Sequence, residues 1–447
     1  MATTTASVRT LPFLSRLTRH WRVPVNALEE AGAQAGGELV RLNMGPFRPY
    51  LVTHPDHVQH VLTTNQPNFV REGMFWDPLA PLVGHGILSD GDNWADSRRI
   101  LQPLFTARYV NSLAERMADS IDRSIDEIIT PGRPLDIAKT MSAIVHPMIV
   151  RLFFGEKISV ADMNRLGPAY DVAVTANAIR HLMPFVPERV PLPGDRAFRR
   201  AIRTVDEVVY LRIKQVRAQE QDGDDVVSRL CRARRDETGP EGDRRIRDDM
   251  VAMHGPSTDT TTTVLTWVWP ALAAHPEAAA RVYEEVDRVV GDAPVSVSHL
   301  PELTYLRMFV SEVLRLYPPA WMLPRKALAT DVVGGVTIEA GSTVMLSPYL
   351  TQRLPQFWER PLTFEPERFT PGNESGRHRY AYLPFIAGPH VCLGQALFMM
   401  EAPLLIAGIL RRYRPVVHSD GPVSPQLASS LRPPSGLMMT LHPAARR

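Results

Sequence analysis

The stretch Phe385-Ile386-Ala387-Gly388-Pro389-His390-Val391-Cys392-Leu393-Gly394 decides the fold of this chain, and an apolar helical run follows it. Cys392 and Cys231 are the only cysteines, so neither a Cys-rich metal cage nor a disulfide scaffold is on offer. A lone cysteine is ordinarily a small buried hydrophobe. The neighbours of Cys392 point elsewhere. Gly388 and Gly394 let backbone lie close to a flat ligand. Pro389 stiffens the turn, and His390 sets a cation-capable ring beside the sulfur. The unpaired N–H groups of a helix start lower a thiol pKa. The pattern predicts a thiolate held out as a soft anionic metal ligand.

Iron suits such a ligand, and haem held by a cysteine thiolate is the expected group. Phe385, Gly388, His390, Cys392 and Gly394 resemble the haem-binding loop of the cytochrome P450 family, Phe-Gly-x-Gly-x-His/Arg-x-Cys-x-Gly. Ile386 stands where that loop carries glycine. Other motifs follow in the family's order. Glu312 and Arg315 lie three apart on one helix face, the spacing of an ion pair. On a helix this apolar the pair is expected to be buried and to need partners. Phe364-Glu365-Pro366-Glu367-Arg368-Phe369 resembles the family's companion motif, so the resemblance implies a three-way network of Glu312, Arg315 and Arg368 that locks the scaffold around the cysteine loop.

The resemblance also implies roles for residues that are uninformative alone. Trp94 and Arg98 match a Trp-x-x-x-Arg pair that reaches a haem propionate, and Arg325 and His390 match further propionate contacts. Arginine suits that task because its planar fork meets carboxylates bidentately. Pro256-Ser257-Thr258-Asp259-Thr260-Thr261 matches the family's acid–alcohol segment, with Asp259 and Thr260 as the pair that relays protons. Threonines in a helix otherwise bond back to backbone carbonyls. Pro256 and Ser257 replace the small residues of the family pattern. A proline here leaves the carbonyl of Ala252 without its helical donor and is expected to kink the helix.

Length and composition bound the rest. The 447 residues allow a large core, and a formal net charge of +2 gives no reason to expect nucleic acid or an anionic membrane as partner. Only Lys139, Lys157, Lys214 and Lys326 are lysines. No run approaches the ~20 apolar residues of a membrane span, and residues 1–22 lack the apolar core of a signal peptide. The expectation is a soluble, cytoplasmic protein with no membrane anchor. Residues 11–25 read as a mildly amphipathic helix docked on the protein's own surface.

Hydrophobic patterning predicts a mainly α chain with a minor β region. Two short strands are expected at 38–42 and 49–54, and helices at 55–62, 94–105, 113–129, 140–154, 160–181 and 196–220. Further helices are expected at 247–274, 276–290, 301–317 and 395–413. Segment 74–88 reads as a loop, 183–194 as a proline-rich break and 332–349 as a small β-hairpin region. The helix 247–274 is apolar or threonine-rich on nearly every face, the mark of a buried helix. Element order resembles the P450 fold, with haem between that long helix and the cysteine loop. The resemblance covers roughly 35–440 and implies a single domain, 1–447, with 1–34 as a lead-in.

The family implies a haem-thiolate monooxygenase of the soluble bacterial type, with haem b as cofactor. It would insert one oxygen atom from O2 into an apolar small molecule. No flavin or iron–sulfur module is apparent, so electrons are expected from a separate ferredoxin and an NAD(P)H-linked reductase. The protein is expected to be a monomer. By family topology the pocket draws on Phe75, Trp76, Leu79, Leu82, Met183, Phe185, Met253, Pro256, Trp321, Met322, Leu323 and Ser430. Their apolar character suits a secondary-metabolite scaffold such as a terpenoid, with a macrolide or fatty acid as alternatives. A peroxide-driven peroxygenase and a non-catalytic haem sensor are rival readings, and the Asp259-Thr260 pair speaks against the first.

Overall fold

The computed structural model describes residues 8–177, 180, 186, 189–219 and 223–444. Met183 and Phe185, expected in the pocket, lie outside the described residues, as do the expected helix ends at 181 and 220. Contacts divide the chain into two compact units. The first is Met1–Val70, Ala114–Met141 and Thr260–Arg447; the second is Arg71–Leu113 and Ser142–Asp259. The chain is mainly helical with a minor sheet, as the patterning predicts.

The first unit holds a six-stranded sheet in the order Thr10–Pro12, Val40–Asn43, Tyr50–Val52, Thr343–Leu346, Leu323–Ala327, Phe69–Val70. Val40 faces Leu51 across an antiparallel pair, and Leu51 faces Met345 across a parallel one. Tyr50, Leu51 and Val52 are all buried, as a central strand covered on both faces must be. Of the helix expected over 11–25, Leu14–Arg19 forms, and Pro12 and Pro24 bound it. Thr10–Pro12 becomes an edge strand, and Pro24 sits at the N-cap of Val25–Ala35. Residues from 10 onward are therefore built into the fold rather than leading in to it.

Other boundaries also differ from the sequence reading. Segment 74–88 is not a plain loop. It contains the 3₁₀ turn Asp77–Leu79 and the short helix Ala80–Val83, each with a proline in its first two positions, where a missing N–H costs nothing. The helix expected at 55–62 is α only over Pro55–Gln59 and continues as a π turn, His60–Thr64. Of the region 332–349, only Asp331–Val333 and Val336–Ile338 form a hairpin, turning on Gly334 and Gly335 at positive φ, while Thr343–Leu346 joins the large sheet. The last helix ends at Leu410, and Tyr413–His418 then pairs with Met438–Pro443.

Helix Pro240–Ala274 starts before the expected 247, with Glu241 and Asp243 in its first turn, where acids favour the helix dipole. It runs unbroken through Pro256 and Pro270. Ile137–Phe154 is the one described helix long and apolar enough to span a membrane, and 56% of it is buried within the protein. In the second unit, Ser159 and Asp225 cap Val160–Ala176 and Val226–Ala233 through their side chains. Helix Val160–Ala176 packs along Asp195–Gln219. Gly255 lets the Tyr170 ring close over helix Pro240–Ala274, since a Cβ would stand 1.6 Å from the ring and push it aside.

Candidate functional site

The cysteine loop lies in the first unit and folds back on itself. The Cys392 amide donates to the Phe385 carbonyl at 2.9 Å, and the Val391 amide to that of Gly388 at 3.1 Å. Cys392 itself is exposed. Gly394 is the N-cap of Gln395–Leu410, so the thiol stands just ahead of that helix's N–H groups. A Cβ on Gly394 would come only to van der Waals distance of the Cys392 sulfur, 3.7 Å. Gly388 has φ +74°, and a Cβ there would stand 2.0 Å from the Leu62 carbonyl oxygen. Ile386, the residue in the glycine position, has φ +63°. A β-branched residue in the left-handed region is strained.

The π turn explains what the loop packs on. A π turn widens the helix and re-aims its carbonyls, and Leu62 and Thr63 lie within it. The Thr63 hydroxyl pairs with the Tyr380 hydroxyl at 2.8 Å. His60 and Asn65, at the ends of the turn, both reach the Asp331 carboxylate, at 2.7 and 2.9 Å. The His60 ring and the Asn65 amide hold the Asp331 carboxyl below its ordinary pKa despite burial.

The structure brings Glu312, Arg315 and Arg368 together. Arg315 donates twice to Glu312, at 2.6 and 2.7 Å, and Arg368 Nε lies 3.5 Å from Glu312 Oε1. Glu312 also accepts from the Glu365 amide at 2.8 Å. Arg315 further reaches the carbonyls of Gln352, Pro361 and Thr363. Glu312 and Arg315 are fully buried. Burial pushes the Glu312 carboxyl up, against the pull of Arg315, the Glu365 amide and Arg368. Removing either partner would strand a buried charge, a cost of about 3–5 kcal/mol.

Arg325 on Leu323–Ala327 and His390 are both buried. A soft thiol ahead of a helix N-terminus and two buried cation-capable groups, all in this unit, are the donor set that a flat iron macrocycle bearing carboxylates requires. Trp321 donates from its ring to the Ala428 carbonyl at 2.9 Å, and Leu431 donates its amide to Pro319. Trp267 stacks on Tyr317 at 3.9 Å and donates to the Leu431 carbonyl. Segments 319–323 and 428–431 are thus neighbours; Leu323 and Ser430 are buried, while Trp321 and Met322 are half-buried. Thr260 is half-buried.

In the second unit, Trp94 and Arg98 are half-buried on helix Gly91–Leu101, and Arg98 Nε donates to Gln102 at 3.2 Å. Phe75, Trp76 and Leu79 are half-buried, whereas Leu82 is fully buried. Met253 is buried and Pro256 and Asp259 are half-buried. Along helix Pro240–Ala274 the Ser257 and Thr258 hydroxyls bond back to the carbonyls of Met253 and His254. Sequence reasoning missed Asp248 and Asp249, which are buried on the same helix. The signal was present: two adjacent acids opening the apolar run Met250-Val251-Ala252-Met253, which must find partners if the run is buried.

A family model described as Cytochrome P450 matches residues 14–441. The chain is similar to the cyclooctat-9-en-7-ol 5-monooxygenase of Streptomyces melanosporofaciens, at 32% identity over 92% of this chain and 89% of that one. It is similar to the pentalenene oxygenase of Streptomyces avermitilis, at 27% identity over 96% and 95%. Among solved structures, the cytochrome P450DA heme domain superposes with a TM-score of 0.85 at 23% identity, over 99% and 98% of the two chains.

Proposed function

The chain belongs to the cytochrome P450 family and is an oxidoreductase of the monooxygenase class, and from that premise we propose that it hydroxylates a terpenoid-like secondary metabolite. The family's cofactor is haem, here read as haem b. When bound, it supplies the activation of O2 with two electrons, and the protein supplies ligation, orientation and electrostatics. In this reading Cys392 is the iron ligand. Arg98, Arg325 and His390 meet the propionates, and Trp94 supports Arg98. Phe385, Gly388 and Gly394 shape the loop. The Thr260 hydroxyl holds a proton for delivery and the Asp259 carboxyl refills it. Electrons come from a ferredoxin and its NAD(P)H-linked reductase. The protein acts as a cytoplasmic monomer, with residues 1–447 as a single catalytic domain.

The observation that carries the reading is the cysteine loop. An exposed thiol precedes a helix N-terminus on a backbone that admits only glycine at 388. The substrate class follows from two supports. Relatives over nearly the whole chain are named for cyclooctat-9-en-7-ol and pentalenene, and the expected pocket side chains are apolar. Reduced protein under CO should absorb at the wavelength that marks thiolate ligation, and Cys392→His should lose that band while Cys231→Ala keeps it. The opposite pattern would overturn the ligand assignment. A titration panel of polycyclic terpenes, macrolides and fatty acids, read by the haem spin-state shift, tests the class. A shift produced by fatty acids alone would reject the terpenoid reading.

A further inference from the structure

Within the second unit, two adjacent carboxylates on helix Pro240–Ala274 hold the segment that follows the short helix Ala80–Val83. Asp249 Oδ1 accepts from the Ile87 amide at 2.9 Å, and Asp248 Oδ2 from the His85 amide at 3.0 Å. Arg247 donates to the Leu82 carbonyl at 2.7 Å, to Asp248 at 3.0 Å and to Asp206 at 2.7 Å. The approach is too close for side chains on the loop. A Cβ on Gly84 would lie 1.9 Å from the Asp248 carboxyl, and one on Gly86 would lie 2.2 Å from Asp249 Oδ1. Asp249 also binds a second element. Its Oδ2 accepts from the Ser97 hydroxyl at 2.9 Å, and Arg234 lies 3.5 Å away. Ser97 is the neighbour of Arg98 on helix Gly91–Leu101. Arg234 is shared with Asp96 and Glu237. Asp249, Ser97 and Arg234 are all buried.

A carboxylate costs heavily to bury, and a surface loop does not need one to close it. What this arrangement does is fix two segments to one atom pair: one oxygen holds the loop at 87, the other the helix at 97. We propose that Asp249 is a positioning residue that sets the loop 74–88 in its ligand-binding arrangement and ties it to the helix carrying Arg98. The proposal rests on the reading of 74–88 as part of an apolar substrate pocket.

The test compares holoprotein binding of 4-phenylimidazole and of unsubstituted imidazole. Both ligate iron, so the ratio of their affinities reports the apolar contacts alone. Asp249→Ala should lower that ratio about ten-fold and raise amide exchange at 85–88 and 95–98. Asp249→Asn, which can still accept from Ile87 and donate to Ser97, should restore most of both. Gly86→Ala, which pushes the loop off an intact carboxylate, should lower the ratio and raise exchange at 85–88 only, so the proposal stays testable if Asp249→Ala does not fold. An unchanged ratio in Gly86→Ala and Asp249→Ala would overturn the proposal. Equal binding of the two probes by the unaltered protein would instead remove the apolar-pocket reading on which it rests.

Discussion

At the scale of single residues, the cysteine loop carries one tolerated and one forbidden departure from glycine. Ile386 holds φ +63°, which costs a β-branched residue about 1–2 kcal/mol. Its half-buried side chain packs against the apolar cluster that includes Leu62, Tyr380 and Leu383, which offsets that cost through burial. Ile386→Gly removes strain and contacts together, so the thermal midpoint of the holoprotein should move little. Ile386→Ala keeps the strain, loses the contacts and should destabilise by about 1 kcal/mol. Gly388 has no such compensation, because its Cβ would meet the backbone carbonyl of Leu62 at 2.0 Å. Gly388→Ala should cost more than about 2 kcal/mol, the scale of strain at such positions, and speed haem transfer to an apoprotein acceptor. A Gly388→Ala protein that keeps haem like the parent would show that the loop does not depend on the Leu62 contact. The sequence marks Ile386 as a departure, since glycine is the expected residue. It does not show what the side chain packs on, because that cluster is gathered from residues far apart in the chain, Leu39 to Leu383.

At the scale of elements, helix Pro240–Ala274 concentrates the unusual features. Pro256 offers no N–H to the Ala252 carbonyl, Ser257 and Thr258 bond back to Met253 and His254, and Gly255 lies under Tyr170. Back-bonded hydroxyls bend helices, so this turn is weakened in three ways just before Asp259-Thr260. Pro256→Ala restores one backbone bond and a residue about 3 kcal/mol better suited to a helix interior. The variant should be more stable and should form less product per NADPH consumed, with the Cys392 spectrum unchanged. Thr260→Ala should release more peroxide. Full coupling in Pro256→Ala would mean that the proline is merely tolerated. Long helices such as Asp195–Gln219 and Pro276–Val289 were legible because their apolar period is strong and Gly or Pro marks their ends. Strand Leu323–Ala327 was not, because Pro324 argues against a strand and its pairing with Thr343–Leu346 and Phe69–Val70 is non-local. The start at Pro240 was hidden by charges that the helix turns outward or pairs internally. The loop partners of Asp248 and Asp249, the amides of His85 and Ile87, carry no side-chain signal, so in the sequence the two acids show only as charges that open an apolar run.

At the scale of the whole molecule, each unit buries an ionisable side chain with a polar atom that has no hydrogen-bond partner among the described residues, His254 in one and Glu401 in the other, and the two bias stability in opposite directions. In the second unit, His254 Nε2 has no partner, and aromatic rings from His146, Phe153, Phe154 and Tyr170 surround the imidazole. Burial pushes its pKa down to about 3. The unfolded chain therefore binds a proton that the folded chain does not, between pH 3 and the ordinary 6.5, and stability rises with pH across that window. In the first unit, neither carboxyl oxygen of Glu401 has a partner among the described residues, on a helix otherwise apolar from Ala396 to Leu410. Burial alone pushes Glu401 up to about 8 from the ordinary 4.5. Here the folded chain holds the extra proton, so its contribution is full below 4.5 and is lost as pH rises through about 8. One group in full linkage changes stability by about 1.4 kcal/mol per pH unit. The midpoint of thermal unfolding should therefore fall from pH 7 toward pH 8, above the ordinary imidazole pKa of 6.5, where Glu401 dominates this pair. Glu401→Gln cannot ionise, so it should gain on the parent steadily over the same range, while His254→Phe should differ from the parent only on the acid side. A parent–Glu401→Gln difference independent of pH would mean that the carboxylate reaches water or a partner on deprotonation. The helix that begins at the Gly394 cap beneath Cys392 would then tolerate a charge at its centre.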